Sequence, residues 1–454
     1  MFVRSMSFAT VALAAGLAGC ASTHHEPASP AALAPSSQSS PSEIALRGAS
    51  ERALRAPVLA REAFVRAVLE RNPTLDAARH GFRAALARVR QAGTFEDPML
   101  DVGLAPLSIA PSRAPLGFEV GVSQKLPWFG KRGLESEAAE ADAAAARSDY
   151  EAMMRELALS AMLLYDDYFV AARSLEINAE HVALMHAMHE SAVAAFASGR
   201  GSAGDALMAE AELTHMEHDA VILATERDVT VAQMNELLHR APELSLPPPP
   251  KELPVTEENS PSGRESTAFA AERRPEIVAA RQRARAEEAR AERAERDSYP
   301  DVTLSTSYNS MWDMPQHRWM VGVGLALPLQ TERRAGAADE SRALSAQFSS
   351  EAARITDAAR TQAFVAQKQL DETKHVIELF EHRLLPVARE EVDAARASFA
   401  TGRSPFNAVI EAERNLRGVE LEYQTKRAES VRRRAELDRA LGRIPGLDWK
   451  DAQP

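Results

Sequence analysis

The chain has 454 residues, a formal net charge of −12 and a single cysteine. Its length allows on the order of two to four domains. The acidic balance argues against a nucleic-acid binder, and one cysteine excludes an internal disulfide. There is no P-loop, no GxGxxG after a strand, no HExxH and no CxxC, so neither catalytic residues nor a cofactor are expected.

At the N-terminus Arg4 precedes "FATVALAAGLAG", an apolar run too short to span a bilayer as a mature helix. "LAGC" follows and ends in Cys20. This resembles a bacterial lipoprotein signal, which implies removal of residues 1–19 and acylation of Cys20. The alternative is an ordinary secretory peptide that happens to contain a cysteine. Ala21, rather than Asp, follows the cysteine. By analogy with lipoprotein sorting this favours the outer membrane. Residues 20–57, rich in Ser, Pro and Ala, read as a flexible tether.

A helix is expected over about 59–93, then two alternating segments, "MLDVGLAPL" and "GFEVGVSQKL". In the second, Phe118, Val120 and Val122 oppose Glu119, Gly121, Ser123 and Lys125. From Leu134 to Ser198 there are 65 residues without Gly or Pro, enough for a helix of roughly 100 Å. Met154, Leu157, Met162, Tyr165 and Phe169 recur along it at helical spacing, a stripe suited to coiled-coil-like packing. Its last third contains "HVALMHAMHE", where His181, Met185, Met188 and His189 share a face. Imidazole and thioether together suit copper(I); methionine at helical spacing also suits plain packing. "HMEH", His215 to His218, is expected a turn or two away on the partner helix. A turn at Gly199 leads into that helix, and a Pro-rich linker spans 241–270.

The whole plan then recurs. "RNPTLDAAR" from Arg71 returns as "RRPEIVAAR" from Arg273, Pro98 as Pro300, and "VGVSQKLP" from Val120 as "VGVGLALP" from Val321. "AFASGRGSAGDALMAEAEL" from Ala195 returns as "SFATGRSPFNAVIEAERNL" from Ser398, and "LLHR" ending at Arg240 as "ALGR" ending at Arg443. The offsets stay between 201 and 203, the mark of an internal duplication. The copies are 58–240 and 271–443, followed by a tail, 444–454. In the second copy, helices are expected over about 273–297 and from Ala337 to Thr401, the latter kinked at Pro386. "VTLSTSYN" places Val302, Leu304, Thr306 and Tyr308 on one face; "WMVGVGLALP" does so for Trp319, Val321, Val323, Leu325 and Leu327. Segments of about nine to eleven residues with an apolar and a polar or small face suit membrane-barrel strands. Trp128, Phe129, Trp312 and Trp319 lie near their ends, where interfacial aromatics belong. Four strands cannot close a barrel alone, so either several chains share one or the hairpins stand in water over a helical bundle.

These features resemble the TolC-like outer membrane efflux family. They are the duplicated unit of strands and long helices, the first-copy "VSQKLPWFGKR", and the two turns with Phe196, Gly199, Leu207, Ala209 and Glu210 matched by Phe399, Gly402, Ile410, Ala412 and Glu413. The resemblance implies a mainly α homotrimer with a small β part. Its β-barrel has twelve strands, four per chain, in outer membrane lipid, and a long helical barrel continues it into the periplasm. It also implies an exit duct that docks a periplasmic adaptor and an inner-membrane RND-type transporter. "SQKLPWFGKR" is similar to the branch serving heavy-metal pumps. Adaptor docking is expected at the tips, Gly199, Arg200, Gly402 and Arg403. Of the two acidic gate positions in the family, this chain has Ala408 at one and Glu411 at the other. Asp205 is a further gate candidate or a helix cap. Polypeptide or organic-toxicant export in the same fold, or a scaffold without a pore, are the competing readings.

Overall fold

The computed structural model describes residues 51–52, 54–105, 117–253, 268, 270, 272 and 274–446. Cys20, the signal segment and most of the tether lie outside the described residues. The first helix is not continuous. It divides into α1 (Arg61–Arg71) and α2 (Pro73–Ala92). Pro73 imposes the break, because the residue before a proline is pushed out of helical geometry. Asn72 is extended; its side chain accepts the Thr74 N–H and donates to the Leu237 carbonyl.

Strands β1 (Met99–Leu104), β2 (Phe118–Leu126), β3 (Asp301–Asn309) and β4 (Trp319–Ala326) follow in two pairs. They are not two separate hairpins. They form one antiparallel sheet in the order β1-β2-β3-β4, and the β2–β3 seam joins the two copies. The strands have six, nine, nine and eight residues, so β1 is shorter than its sequence suggests. Register fixes the faces. Leu100 opposes Val122, Val120 opposes Tyr308, Leu304 opposes Val323, and Thr306 opposes Val321. Directly opposed residues share a face, so the expected apolar side is continuous across all four strands. Val321 is 85% exposed, Trp319 69% and Leu100 66%.

Aromatics sit at both ends of the sheet. Phe118, Tyr308 and Trp319 form one chain of ring contacts, 5.9 and 5.4 Å between centroids. At the other end Trp128 stacks on Tyr299 at 5.5 Å. That end is a junction between the copies. The Trp128 N–H donates to Asp301, and the buried Lys131 ammonium reaches Asp301 at 2.8 Å and the Tyr299 carbonyl at 3.1 Å. Gly130 has φ +83°, and a Cβ there would run into the Arg296 guanidinium. "PWFGK" is therefore a turn between membrane-type strand and helix.

Helix α3 (Lys131–Ala197, 67 residues) pairs with α4 (Ala203–Leu237). In the second copy α5 (Pro275–Arg296), α6 (Thr331–Leu379), α7 (Leu385–Ala400) and α8 (Phe406–Ala440) follow. A π-helical turn, Phe380–Leu384, separates α6 from α7. Pro386 lacks the N–H that the helix needs, and the wider turn accommodates its ring, as the expected kink. None of the described helices is long and apolar enough to cross a membrane.

The main core gathers Leu157, Met162, Tyr165 and Phe169 of α3, with Met154 packed against it, against Phe64 and Val68 of α1 and Ala428, Val431 and Ala435 of α8. Arg61 forks onto Asp166 at 2.8 and 2.6 Å, fully buried on the acidic side. The start of the linker is packed, not loose: Pro247 accepts the Tyr168 hydroxyl and Pro248 the Leu59 N–H. The beginning of the C-terminal tail also belongs to the core, since Ile444 is 6% exposed; residues 447–454 lie outside the described residues.

α4 and α8 end alike. The N–H of Gly442 bonds to the Arg439 carbonyl and that of Arg443 to Asp438; His239 and Arg240 repeat this on Glu236 and Asn235. Both turns need left-handed backbone, at φ 75° for Gly442 and φ 53° for His239. A side chain costs about 1–2 kcal/mol there. His239→Gly will raise, and Gly442→Ala lower, the stability of the purified protein by about 1 kcal/mol each, read as opposite shifts in thermal melting.

Candidate functional site: the helical tips and the polar cluster behind them

The two tips are built alike. α3 ends with the Gly199 N–H on the Phe196 carbonyl and the Arg200 N–H on Ala195; α7 ends with Gly402 on Phe399 and Arg403 on Ser398. Both glycines have φ 70°, and a Cβ at either would meet nothing within 4 Å. Backbone geometry, not crowding, selects glycine here. Arg200 and Arg403 are exposed, and each guanidinium folds back onto a hydroxyl, Ser198 at 3.1 Å and Thr401 at 2.9 Å. The tips thus present two matched cations beside left-handed turns.

The gate candidates differ. The Asp205 carboxylate accepts the Ser202 N–H at 3.1 Å, and Ser202 in turn accepts the Gly204 N–H at 3.0 Å. This reciprocal capping box satisfies the first donors of α4, so the capping alternative describes Asp205. Glu411 is exposed and accepts the Asn407 amide at 2.9 Å. Two residues on, Glu413 is fully buried. Two helical steps rotate about 200°, so Glu411 points away from the core that Glu413 enters.

The His/Met stretch does not form a metal cage. Among the described residues no group of three or more His, Cys, Asp or Glu could hold a metal ion. Met185 is 1% exposed and packs with Ala209, Met216, Phe406 and Ile410; Met188 lies against the same cluster. His181 is buried, not solvated. Its Nε2 lies 3.1 Å from Glu420 and its Nδ1 3.8 Å from Glu413. His189 is half-buried, a little over two turns from the tip. The Asn178 amide donates to the Met216 carbonyl, which places His215 level with Asn178. His189 is then about 16 Å away along the helix, whereas His181 lies within about one turn of that level and Met185 packs in one cluster with Met216, so the two stretches meet only at their near ends.

Sequence reasoning missed the cluster that surrounds His181. Arg414 binds the buried Glu212, Arg417 reaches Asn178 at 3.1 Å and Asp219 at 3.2 Å, Arg396 binds Glu413, and Arg389 reaches Glu420 at 3.3 Å. Side chains of α3 and α4 are tied to α8 of the other copy. Glu420 and Arg389 fall on charged helix faces and pair with each other within the second copy; the contact between copies adds His181 to Glu420. The Glu420 carboxyl is held below its usual range, first by the His181 hydrogen bond and then, against some burial, by Arg389.

An open sheet with an apolar outer face, set on coiled hairpins of unusual length, defines the protomer of a membrane channel. The outer membrane efflux protein family matches residues 64–238 and 269–443, and the chain belongs to that family. Its members are passive channels, not enzymes. The fold is similar to the outer-membrane channel OprN, with 19% identity over 88% of this chain and 93% of that one, TM-score 0.73. It is similar to CusC, a transmembrane channel, with 16% identity over 84% and 92%, TM-score 0.72. It is also similar to the outer membrane protein VceC from Vibrio cholerae, with 18% identity over 84% and 96%, TM-score 0.72. No curated protein matches the sequence.

Ser202→Ala removes the α4 cap and will cost about 1 kcal/mol, seen as faster amide exchange over residues 203–206. Glu411→Gln, at an exposed position, will leave stability within about 0.5 kcal/mol of wild type.

Proposed function

We propose that the protein is the outer membrane duct of a tripartite efflux system, working as a homotrimer. The open sheet carries this reading. β1 and β4 each keep one unpaired edge within the described sheet, while the apolar face is the most exposed part of the strands. In hydrocarbon each unsatisfied backbone group costs several kcal/mol. Three copies joined edge to edge give twelve strands and no free edge, an even number in the range of known barrels. The matched tips, Gly199 with Arg200 and Gly402 with Arg403, are the docking points for a periplasmic adaptor, which connects to an inner-membrane RND-type transporter. Glu411, repeated by the trimer axis, is the acidic ring that attracts cations at the periplasmic end. Acylated Cys20 anchors the chain in the outer membrane.

For cargo we infer heavy-metal cations, on the resemblance of "SQKLPWFGKR" to the metal branch and the His/Met content of α3. The junction role of Trp128, Gly130 and Lys131 and the ion pairs of His181 explain those residues without a metal. Organic toxicants therefore stand as the second reading of cargo.

Purified trimers will conduct in planar bilayers. Glu411→Gln will lower cation over anion selectivity, and Arg403→Glu will weaken adaptor binding at least tenfold. Conducting trimers with unchanged selectivity would remove the acidic ring; silent, correctly assembled trimers would remove the duct. A deletion strain will be sensitive to copper, silver, zinc or cadmium rather than dyes and detergents. The reverse pattern would assign the organic cargo.

A further inference from the structure

The strongest unexplained feature of the molecule is a mismatch inside the polar cluster. His181 is 7% exposed and faces two carboxylates on α8, Glu420 through Nε2 at 3.1 Å and Glu413 through Nδ1 at 3.8 Å. Glu413 and Glu420 are seven residues apart, two turns on one face. Nδ1 of His181 and the facing Oε2 of Glu413 are both buried and have no hydrogen-bond partner among the described residues. A neutral imidazole has one N–H and one lone pair, so it can donate to only one of two carboxylates and must turn the lone pair to the other. An imidazolium donates to both. The pocket is arranged for the charged ring.

We propose that His181 is a proton-operated latch between α3 of the first copy and α8 of the second, drawing the two helices together behind the tips when the imidazole is protonated.

The surrounding charges support this. On α7, Arg396 also binds Glu413 and Arg389 also binds Glu420, but these arginine side chains are 41% and 63% exposed, against 1% and 22% for the two carboxylates. Water screens the cations more than the acids that face the ring. On α8, Arg417 is engaged with Asn178 and Asp219, and Arg414 with Glu212 of α4. Every other ionic tie described between the copies at this level uses arginine, which stays charged at any working pH. Histidine alone changes charge between about pH 5 and 8. The Glu420 carboxyl is held low, first by His181 and then by Arg389, so it stays an acceptor facing Nε2. The sign follows: a contact made by the protonated ring contributes on the acid side of neutrality and is lost as pH rises. Closing the 3.8 Å gap to a hydrogen bond of about 2.8 Å moves α8 by about 1 Å. The shift acts through the packed cluster of Met185, Met216, Phe406 and Ile410, directly beside Glu411. The latch rests on contacts within one chain; its effect on conduction rests on the duct reading.

The test is amide exchange of full-length trimers, expressed as protection factors so that the intrinsic effect of pH cancels. Protection over residues 178–192 and 406–420 should be roughly tenfold higher at pH 5.5 than at pH 8, as for a charged hydrogen bond worth about 1.4 kcal/mol. H181Q retains an amide donor but cannot titrate, so it should show no pH response. E420Q should reduce the response while keeping the fold. Unchanged wild-type protection, or a response that persists in H181Q, would overturn the latch. Single-channel recordings over the same range separate the two proposals. A protection change in trimers that never conduct keeps the latch and removes the duct. Conductance that falls with acid in wild type but not in H181Q joins them.

Discussion

The unpaired edges of one small sheet govern the rest of the structure. Four strands expose a continuous apolar face from Leu100 to Val321, and such a face belongs in lipid. Lipid offers no hydrogen bonds, so neither β1 nor β4 can end the sheet there. The protomer is therefore incomplete in a membrane, and its helices inherit the arrangement. Each strand pair feeds a long hairpin, and the β2–β3 seam sets the first-copy hairpin beside the second-copy one. A closed ring of sheets would place the helices of successive copies in a closed ring as well.

Duplication supplies two hairpins, but they do not touch through equivalent residues. Lys131 of the first copy meets Asp301 of the second, Arg155 donates to the Gly442 carbonyl at 2.8 Å, and Arg414 binds Glu212. The seam between the copies is thus lined with charge. Removing Arg414 from the buried Glu212 would strand the carboxylate in low dielectric, which is why such pairs are expensive to lose even where they add little net stability. Their value lies in register. A sliding apolar stripe of alanines would permit several alignments of α3 against α8, whereas the α8 arginines that reach α3, Arg432 to Asp167 and Arg439 to Glu156, favour one.

Much of this was legible in the sequence because periodicity and punctuation are local. The strand faces followed from alternation, the tips from Gly199 and Gly402, the kink from Pro386, and the family from the order of repeated motifs. The misses share a cause: each depended on a neighbour far away in sequence. The break at Asn72 is stabilised by the Leu237 carbonyl, the single sheet by a seam between residues about 190 apart, and the burial of His181 by α8. Ile444 looked like a tail because the core that covers it lies on α1 and α3. "HVALMHAMHE" invited a metal site since composition shows which atoms are present but not which way they face.

The same stretch shows why binding and conduction must be kept apart in a duct. A cage of imidazoles and thioethers tight enough to select a metal ion would also hold it, and flux requires sites weak enough to leave. In this chain Met185 is committed to packing and His181 to carboxylates. In the proposed duct, selection of cargo can then rest with whatever loads it, and the duct itself needs charge at its entrance and control over the spacing of its helices. In the roles proposed for them, Glu411, exposed on α8, supplies the first, and His181, buried against the face of α8 that carries Glu413 and Glu420, supplies the second.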